Sequence, residues 1–292
     1  ESIDDSEENY GIYAGVRLIS LSAIIKIRLP ARLIDMTKTK LLLSLLFFLF
    51  SCREEKRIGG PIGNAHLLQK SLMSFLQYRQ NHLRPYEDFK ALDASSSVIT
   101  KENFLQLLST GGYLPLKLSA NAEIPVYQLY EMSDSSDQEL RSVIREWGRT
   151  EYEQYKAEGK LLPDYRIVDL DGNIYTKENT KGKILVLKCW FINCLPCRQE
   201  MPALNKLKQQ YNDRNDIIFL SLCLDPVKDV KEFLSHTRFD YATAAGQEKF
   251  ISRDLSVEAY PTHFVIDRRG AILKKTTEYD GLAYALERAA LQ

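Results

Sequence analysis

The run Ile184–Phe191, ILVLKCWF, is apolar almost without interruption, broken only by Lys188. A strand covered on both faces reads this way, and such strands sit in sheets that have helices on each side. A second run of the same kind, Ile217–Leu224, lies downstream. Helical patterns follow each run, at Cys194–Tyr211 and Val227–Ser235, and Pro202 is expected to kink the first. His263–Asp267 and Ala271–Lys275 then read as a hairpin about Arg268-Arg269-Gly270, before a last helix, Gly281–Leu291. Upstream, Tyr165–Leu170 reads as a strand turned back at Asp171-Gly172. Buried strands alternating with helices, closed by a hairpin, predict an α/β layer with helices on both faces over residues 160–292.

Residues 64–158 predict a separate small module, α+β or mostly helical. Leu68, Leu72, Phe75 and Leu76 give a helical period over Ala65–Leu83, followed by a polar loop through Ala94–Ser97. Thr100 is placed to cap a helix at Lys101–Leu108, with Gly111-Gly112 as its stop. Leu114–Leu118 and Ile124–Tyr130 read as short strands. Asp134–Lys156 reads as a long amphipathic helix with Leu140, Val143, Ile144 and Trp147 on one face. The module reads as a packing or spacer unit, with partner recognition as the other role open to it.

The segment from Met36, MTKTKLLLSLLFFLFSCREEK, has the form of an export signal. Lys38 and Lys40 precede an apolar stretch of about ten residues, Leu41–Phe50, which Ser51-Cys52 ends. That stretch is too short to span a bilayer as a helix, which takes about 20 residues, but long enough for a signal peptide. Cysteine after a small residue at this place has the form of a lipoprotein processing site, from which Phe50 is a departure. The expectation is a signal over 36–52 with Cys52 lipidated, and a tether over 53–63 carrying GGPIG. Residues 1–35 would then be upstream sequence absent from the mature protein. Its apolar stretch Ala14–Ile34 is broken by Arg17, Lys26, Arg28 and Arg32.

Formal net charge is zero, so no bulk electrostatic case exists for nucleic acid or an anionic membrane. Five cysteines in 292 residues are too few for a disulfide scaffold. Chemistry therefore concentrates in Cys194-Leu195-Pro196-Cys197. Cys194 at a strand-to-helix junction lies near unpaired N–H groups that favour a thiolate. Cys197, one turn in and more buried, is placed to resolve a mixed disulfide formed at Cys194. Pro196 removes an N–H that would go unsatisfied at a helix start. Covalent haem attachment needs CxxCH, and residue 198 is Arg; structural zinc needs four ligands. Copper binding by the pair stays open.

KGKILVLKCWFINCLPCRQEMPALNKL (Lys181–Leu207), with PDYRIVDLDGN (Pro163–Asn173) before it and EAYPTHFVIDRRG (Glu258–Gly270) after it, resembles the TlpA/ResA branch of the thioredoxin superfamily. These are membrane-tethered, extracytoplasmic thiol-disulfide oxidoreductases. The resemblance covers about 160–292 and does not reach 64–158. It implies a thioredoxin-like fold, a central mixed sheet flanked by helices, with Cys194 attacking and Cys197 resolving. Pro261 would be a cis-proline facing the disulfide, and Tyr260 would offer backbone groups to a substrate strand. Glu200, i+3 from Cys197, would accept its proton. Trp190, Asn193, Leu195, Pro196 and Tyr260 would form the substrate surface, Trp190 packing beneath it.

The resemblance implies no cofactor beyond the Cys194–Cys197 disulfide. It implies exported proteins with disulfides as substrates, apocytochrome c haem-site cysteines or misbridged proteins among them. It also implies a membrane electron donor, attachment to a membrane through Cys52 at the cell envelope or periplasm, and no nucleic acid. Proline before the second cysteine fits the reducing members. Two departures stand out. Asn193 replaces the tryptophan common before the first cysteine. Lys188 occupies the position, six before that cysteine, where thioredoxin buries an aspartate. Lys188 is expected to snorkel, and Cys189 and Cys223 to be small core residues. Three other readings stay open: a peroxidase of the peroxiredoxin type, whose P-x-x-x-T-x-x-C frame is not found; a non-catalytic binding module; and a copper-delivery module.

Overall fold

The computed structural model describes residues 58–292. The expected export signal, Cys52 and residues 1–35 lie outside the described residues. Strand β1 (Ile58–Pro61) leads into a helical turn, α1 (Ala65–Leu68), and helix α2 (Leu72–His82). Two short strands follow, β2 (Lys90–Leu92) and β3 (Val98–Ile99), then helix α3 (Lys101–Leu108). Strands β4 (Tyr113–Ala120) and β5 (Val126–Glu131) precede the long helix α4 (Gln138–Ala157). The sheet runs in the order β1-β4-β5-β2-β3, with β2 parallel to β5 and the other pairs antiparallel.

Side-chain caps set the helix starts. Thr100 Oγ1 accepts from Asn103 N at 3.1 Å, and Asp137 Oδ1 from Glu139 N at 2.8 Å. Ser71 caps α2 by accepting from Ser74 N, so the single helix expected over Ala65–Leu83 is two. Ile58–Pro61, expected as tether, pairs with β4 as an edge strand. β2 and β3 fall where a polar loop was expected. Each is short and carries exposed positions, so neither leaves an apolar pattern in the sequence. Phe75, Phe104, Leu105, Leu108, Leu129, Leu140 and Ile144 make the centre of this module's core. α4 closes on α3 at Gly148, where a Cβ would stand 2.7 Å from the Leu108 carbonyl carbon.

The second half begins with the hairpin β6 (Arg166–Val168) and β7 (Ile174–Thr176), turned at Gly172 with φ +87°. A short helix, α5 (Lys177–Thr180), leads to β8 (Ile184–Trp190), and all seven residues of β8 are buried. Then come α6 (Leu195–Gln199), α7 (Met201–Gln209), β9 (Ile217–Cys223), α8 (Val227–His236) and β10 (Ala242–Ala244). A π-helical turn, Phe250–Asp254, precedes β11 (Thr262–Ile266), β12 (Ile272–Thr276) and α9 (Tyr279–Ala290). The sheet order is β10-β9-β8-β11-β12. β8, β9 and β10 are parallel, while β11 is antiparallel to both β8 and β12. One face packs on Leu204, Leu207, Leu282 and Leu286 from α7 and α9, the other on Ile251, Leu255 and Val257. This is the thioredoxin-like α/β fold.

The two halves meet along β12. The chain leaving α4 runs beside that strand: Gly159 N donates to Ile272 O (2.8 Å), Ile272 N to Lys160 O (2.9 Å) and Leu162 N to Gly270 O (2.9 Å). The free edge of the sheet is thereby covered. Lys274–Glu158 at 2.6 Å and Arg288–Asp88 at 3.2 Å add ion pairs across the join. Buried on α4 nearby, Glu151 accepts from Trp147 Nε1 at 3.0 Å. Burial, then the neighbouring Glu278 carboxylate, push the Glu151 carboxyl up to about 7.

Two outcomes follow from these contacts. Gly148→Ala gains helix propensity of about 1 kcal/mol but drives a Cβ into backbone. The net expectation is a loss of about 1–3 kcal/mol, read as a lower urea midpoint. For Glu151, the folded state holds its proton to a higher pH than the unfolded chain does, so its contribution to stability falls as pH rises from about 4.5 to about 7. Glu151→Gln should therefore stabilise by up to about 3 kcal/mol at pH 8 and by nothing at pH 4. A difference that does not vary with pH would contradict this.

Candidate active site

β8 ends at Trp190, and the chain turns through Phe191–Asn193 into α6. Asp225, just after β9, holds this turn by accepting from Ile192 N at 2.7 Å. Cys194 is the residue before α6, in extended conformation, and its Sγ accepts from Cys197 N at 3.2 Å. Cys194 and Cys197 are joined in a disulfide with Cα atoms 5.3 Å apart. Cys194 is 5% exposed and Cys197 0%, while Leu195 between them is 56% exposed. The asymmetry suits an exchanger, in which an outer sulfur would meet a substrate while the inner one stays shielded. The amide that caps Cys194 would stabilise its thiolate once the pair is reduced.

The helix expected over Cys194–Tyr211 is two helices broken at Glu200. Pro202 is the cause. It offers no N–H to the Arg198 carbonyl, and its ring crowds that group. The break turns Glu200 toward the sheet, where it meets Lys188 and His263. β8 and β11 pair so that Lys188 stands opposite His263, and cross-strand partners share a face. Lys188 Nζ donates to Glu200 Oε1 and, at 3.0 Å, to the Cys197 carbonyl. His263 Nε2 lies 3.3 Å from Glu200 Oε2.

Lys188 does not snorkel: it is 0% exposed. An ammonium in this position, deep within a central strand, is tolerated because a carboxylate and a carbonyl meet it. Its Nζ also lies 5.7 Å from the Phe239 ring centre. Burial alone would raise the Glu200 carboxyl. The His263 hydrogen bond and the Lys188 ammonium outweigh it, so Glu200 is held below the usual carboxylate range. Burial lowers His263 and Lys188, each partly offset by Glu200.

Trp190 makes no substrate surface. It is wholly buried, its Nε1 donating to Ser221 Oγ at 3.2 Å, which in turn donates to Thr243 Oγ1 at 2.8 Å. Its ring supports the active loop from beneath, against Phe233 and Phe239. The exposed rim comes from Asn193, Leu195 and Pro196, with half-buried Phe191, Ile192 and Tyr260 beside them. The Tyr260–Pro261 peptide is cis, and Phe191 packs edge-on against Tyr260 at 5.4 Å. Register places Thr262 beside Cys189, so Pro261 lies at the sheet end from which the Cys194 loop emerges.

Cys189 and Cys223 are buried free thiols. Burial pushes Cys189 up to about 12, and burial also raises Cys223, whose Sγ–H donates to Asp225 at 3.3 Å. Neither has thiolate character. His263 and Asp225 carry no motif; the chain fold brings them in. An alternation count on THFVI could have flagged a histidine facing the same side as Val265, but not its partner.

The second half of the chain is similar to known proteins. The AhpC/TSA family matches residues 159–275. Thioredoxin-like protein YneN of Bacillus subtilis is 32% identical over 117 residues, 39% of this chain and 68% of its own. Thiol-disulfide oxidoreductase ResA of Bacillus cereus is 30% identical over 118 residues, 40% of this chain and 68% of its own. The thioredoxin domain of a Bacteroides vulgatus thiol-disulfide oxidoreductase is 24% identical, with a TM-score of 0.41 over 45% of this chain and 96% of that one.

Thiol trapping checks the asymmetry. After gentle reduction, a small alkylating agent should label Cys194 first, with Cys197, Cys189 and Cys223 reacting only in denaturant. Early labelling of Cys189 or Cys223, seen by peptide mass, would contradict their burial.

Proposed function

Because this chain belongs to the ResA-like thiol-disulfide oxidoreductases, we propose that it is an exported, membrane-tethered reductase of disulfides in extracytoplasmic proteins. The observation that supports the exchange chemistry best is the pair itself. Cys194, slightly exposed, has its sulfur on a backbone amide, while Cys197 is shielded behind it. Cys194 thiolate attacks one sulfur of a substrate disulfide. The Cys194–substrate bond forms, and the first substrate sulfur leaves as a thiolate that takes a proton. Cys197 then gives its proton to the Glu200 carboxylate and attacks Cys194. The Cys194–Cys197 disulfide forms, and the second substrate sulfur leaves and is protonated. Two electrons pass to the substrate. The apolar rim of Leu195, Ile192, Phe191 and Tyr260 suits an extended, partly unfolded chain, with the Tyr260 backbone beside it.

Export and attachment rest on the signal-like segment before Cys52. The reducing direction rests on Pro196 and on the family. A reductant outside the cytoplasm must be recharged, so a membrane dithiol donor is part of the proposal. Substrate identity, apocytochrome c or misbridged exported proteins, stays within it as well.

The reduction potential of the pair decides the direction. A two-electron couple below about −200 mV is expected, and a value near about −120 mV would reverse the assignment to an oxidant. Cys194→Ser should abolish disulfide reduction. Cys197→Ser should instead accumulate mixed disulfides through Cys194, visible as adducts on non-reducing gels. Full activity in either variant would remove the mechanism.

A further inference from the structure

Beneath the disulfide the interior holds three ionisable side chains in contact. Lys188 comes from the middle of β8, His263 from β11 and Glu200 from the break between α6 and α7. Lys188 and His263 are 0% exposed, and the Glu200 side chain is 13% exposed. The hydrogen-bond pattern fixes their protonation. A carboxylate only accepts, so the imidazole must donate to Glu200 from Nε2. His263 Nδ1 is buried with no partner among the described residues. A proton there would be an unsatisfied buried donor, so His263 is the neutral Nε2–H tautomer. The cluster is thus one ammonium, one carboxylate and one neutral donor, with no net charge. Its further link is to the resolving cysteine, through Lys188 Nζ on the Cys197 carbonyl at 3.0 Å.

We propose that Lys188 and His263 are positioning residues for the exchange reaction: together they hold Glu200 as an oriented carboxylate, which Lys188 joins to the backbone of the resolving Cys197. The proposal rests on the reading of Glu200 as the acceptor of the Cys197 proton. It assigns the two groups that make a buried carboxyl fit for that task. Left alone in this interior, Glu200 would hold its own proton and could not accept another. The ammonium keeps it ionised, and the imidazole Nε2, 3.2 Å from Oε1 and 3.3 Å from Oε2, holds the carboxylate in place. Lys188 therefore does not replace the aspartate of thioredoxin with an opposite charge. It forms half of a neutral pair whose other half comes from the helix.

The remaining titratable groups turned toward the cluster are few. Tyr241, before β10, has a buried hydroxyl without a partner among the described residues and is raised by burial first and by Glu200 second. Tyr279 on α9 lies beyond it and is also raised by burial. Cys189, the neighbour of Lys188 on its own strand, is raised by burial. All three are neutral near pH 7, so Lys188 and Glu200 are the charges there.

The test separates the two steps of exchange. Reduced protein is mixed with a chromogenic aromatic disulfide: the first equivalent released reports Cys194 attack, the second reports resolution by Cys197. Rates are followed from pH 5 to 9. Lys188→Met and His263→Phe should leave the first step near wild type. By letting burial raise the Glu200 carboxyl into the measured range, they should move the resolution profile to higher pH, slowing the second step several-fold at pH 5 and little at pH 8. His263→Gln keeps an N–H donor and should recover most of the loss.

Profiles unmoved in Lys188→Met and His263→Phe overturn the proposal, as does His263→Gln as slow as His263→Phe, which would make the role one of packing. Glu200→Gln tells the two readings apart. If it alone shifts the profile, the acceptor role stands and the clamp falls. If it shifts nothing, both fall, while first-equivalent release still reports whether Cys194 exchanges. Should the Lys188 and His263 variants fail to fold, nitrogen NMR of the wild-type imidazole decides. The proposal requires Nε2 protonated and Nδ1 bare in both redox states, and an imidazolium or an Nδ1–H tautomer at pH 7 overturns it.

Discussion

An ammonium and a carboxylate are buried together under the active disulfide, and much of the local structure is arranged so that neither is left alone. Lys188 can occupy a central strand only because Glu200 reaches it, and Glu200 reaches it only because Pro202 ends one helix and starts the next. His263 completes the arrangement from β11, and its position depends on strand register. A slip of one residue would turn His263 to the opposite face and leave Glu200 short of a donor. Strand register, helix break and active-site electrostatics are therefore one constraint expressed three ways.

The N-terminal module contributes at the other edge of the same sheet. Its long helix delivers the segment 159–162 alongside β12, and ion pairs at Lys274 and Arg288 hold the two halves together. Covering that edge removes a row of backbone donors and acceptors that would otherwise invite pairing with another chain. Glu151 lies buried near this join, where burial and the Glu278 carboxylate push its carboxyl up to about 7.

The reactive pair was legible because its signals are local. A strand buried on both faces, a cysteine at its end and a proline-bearing helix start lie within a few residues of one another, and each has its own physical reason. Thr100 as a cap and the Asp171-Gly172 turn were legible on the same grounds. The short strands β1, β2 and β3 were not, because four residues or fewer with exposed positions leave no periodic pattern. Lys188 was misjudged because a lysine on a strand ordinarily reaches for solvent, and whether it can depends on what covers that face. Trp190 packs beneath the active loop as expected, and its complete burial removes it from the substrate surface.

By itself the sequence determined the sheet's central strand, the chemistry of the Cys194–Cys197 pair and a distortion of the helix at Pro202, since each depends on neighbours along the chain. Tertiary structure alone decided that Lys188, Glu200 and His263 form one cluster, that Asp225 holds the active loop and that the module seals β12. Those outcomes depend on which strands lie side by side and in what register. Sequence spacing does not specify contacts between residues 188, 200 and 263; packing does, because only there does a buried charge find its partner.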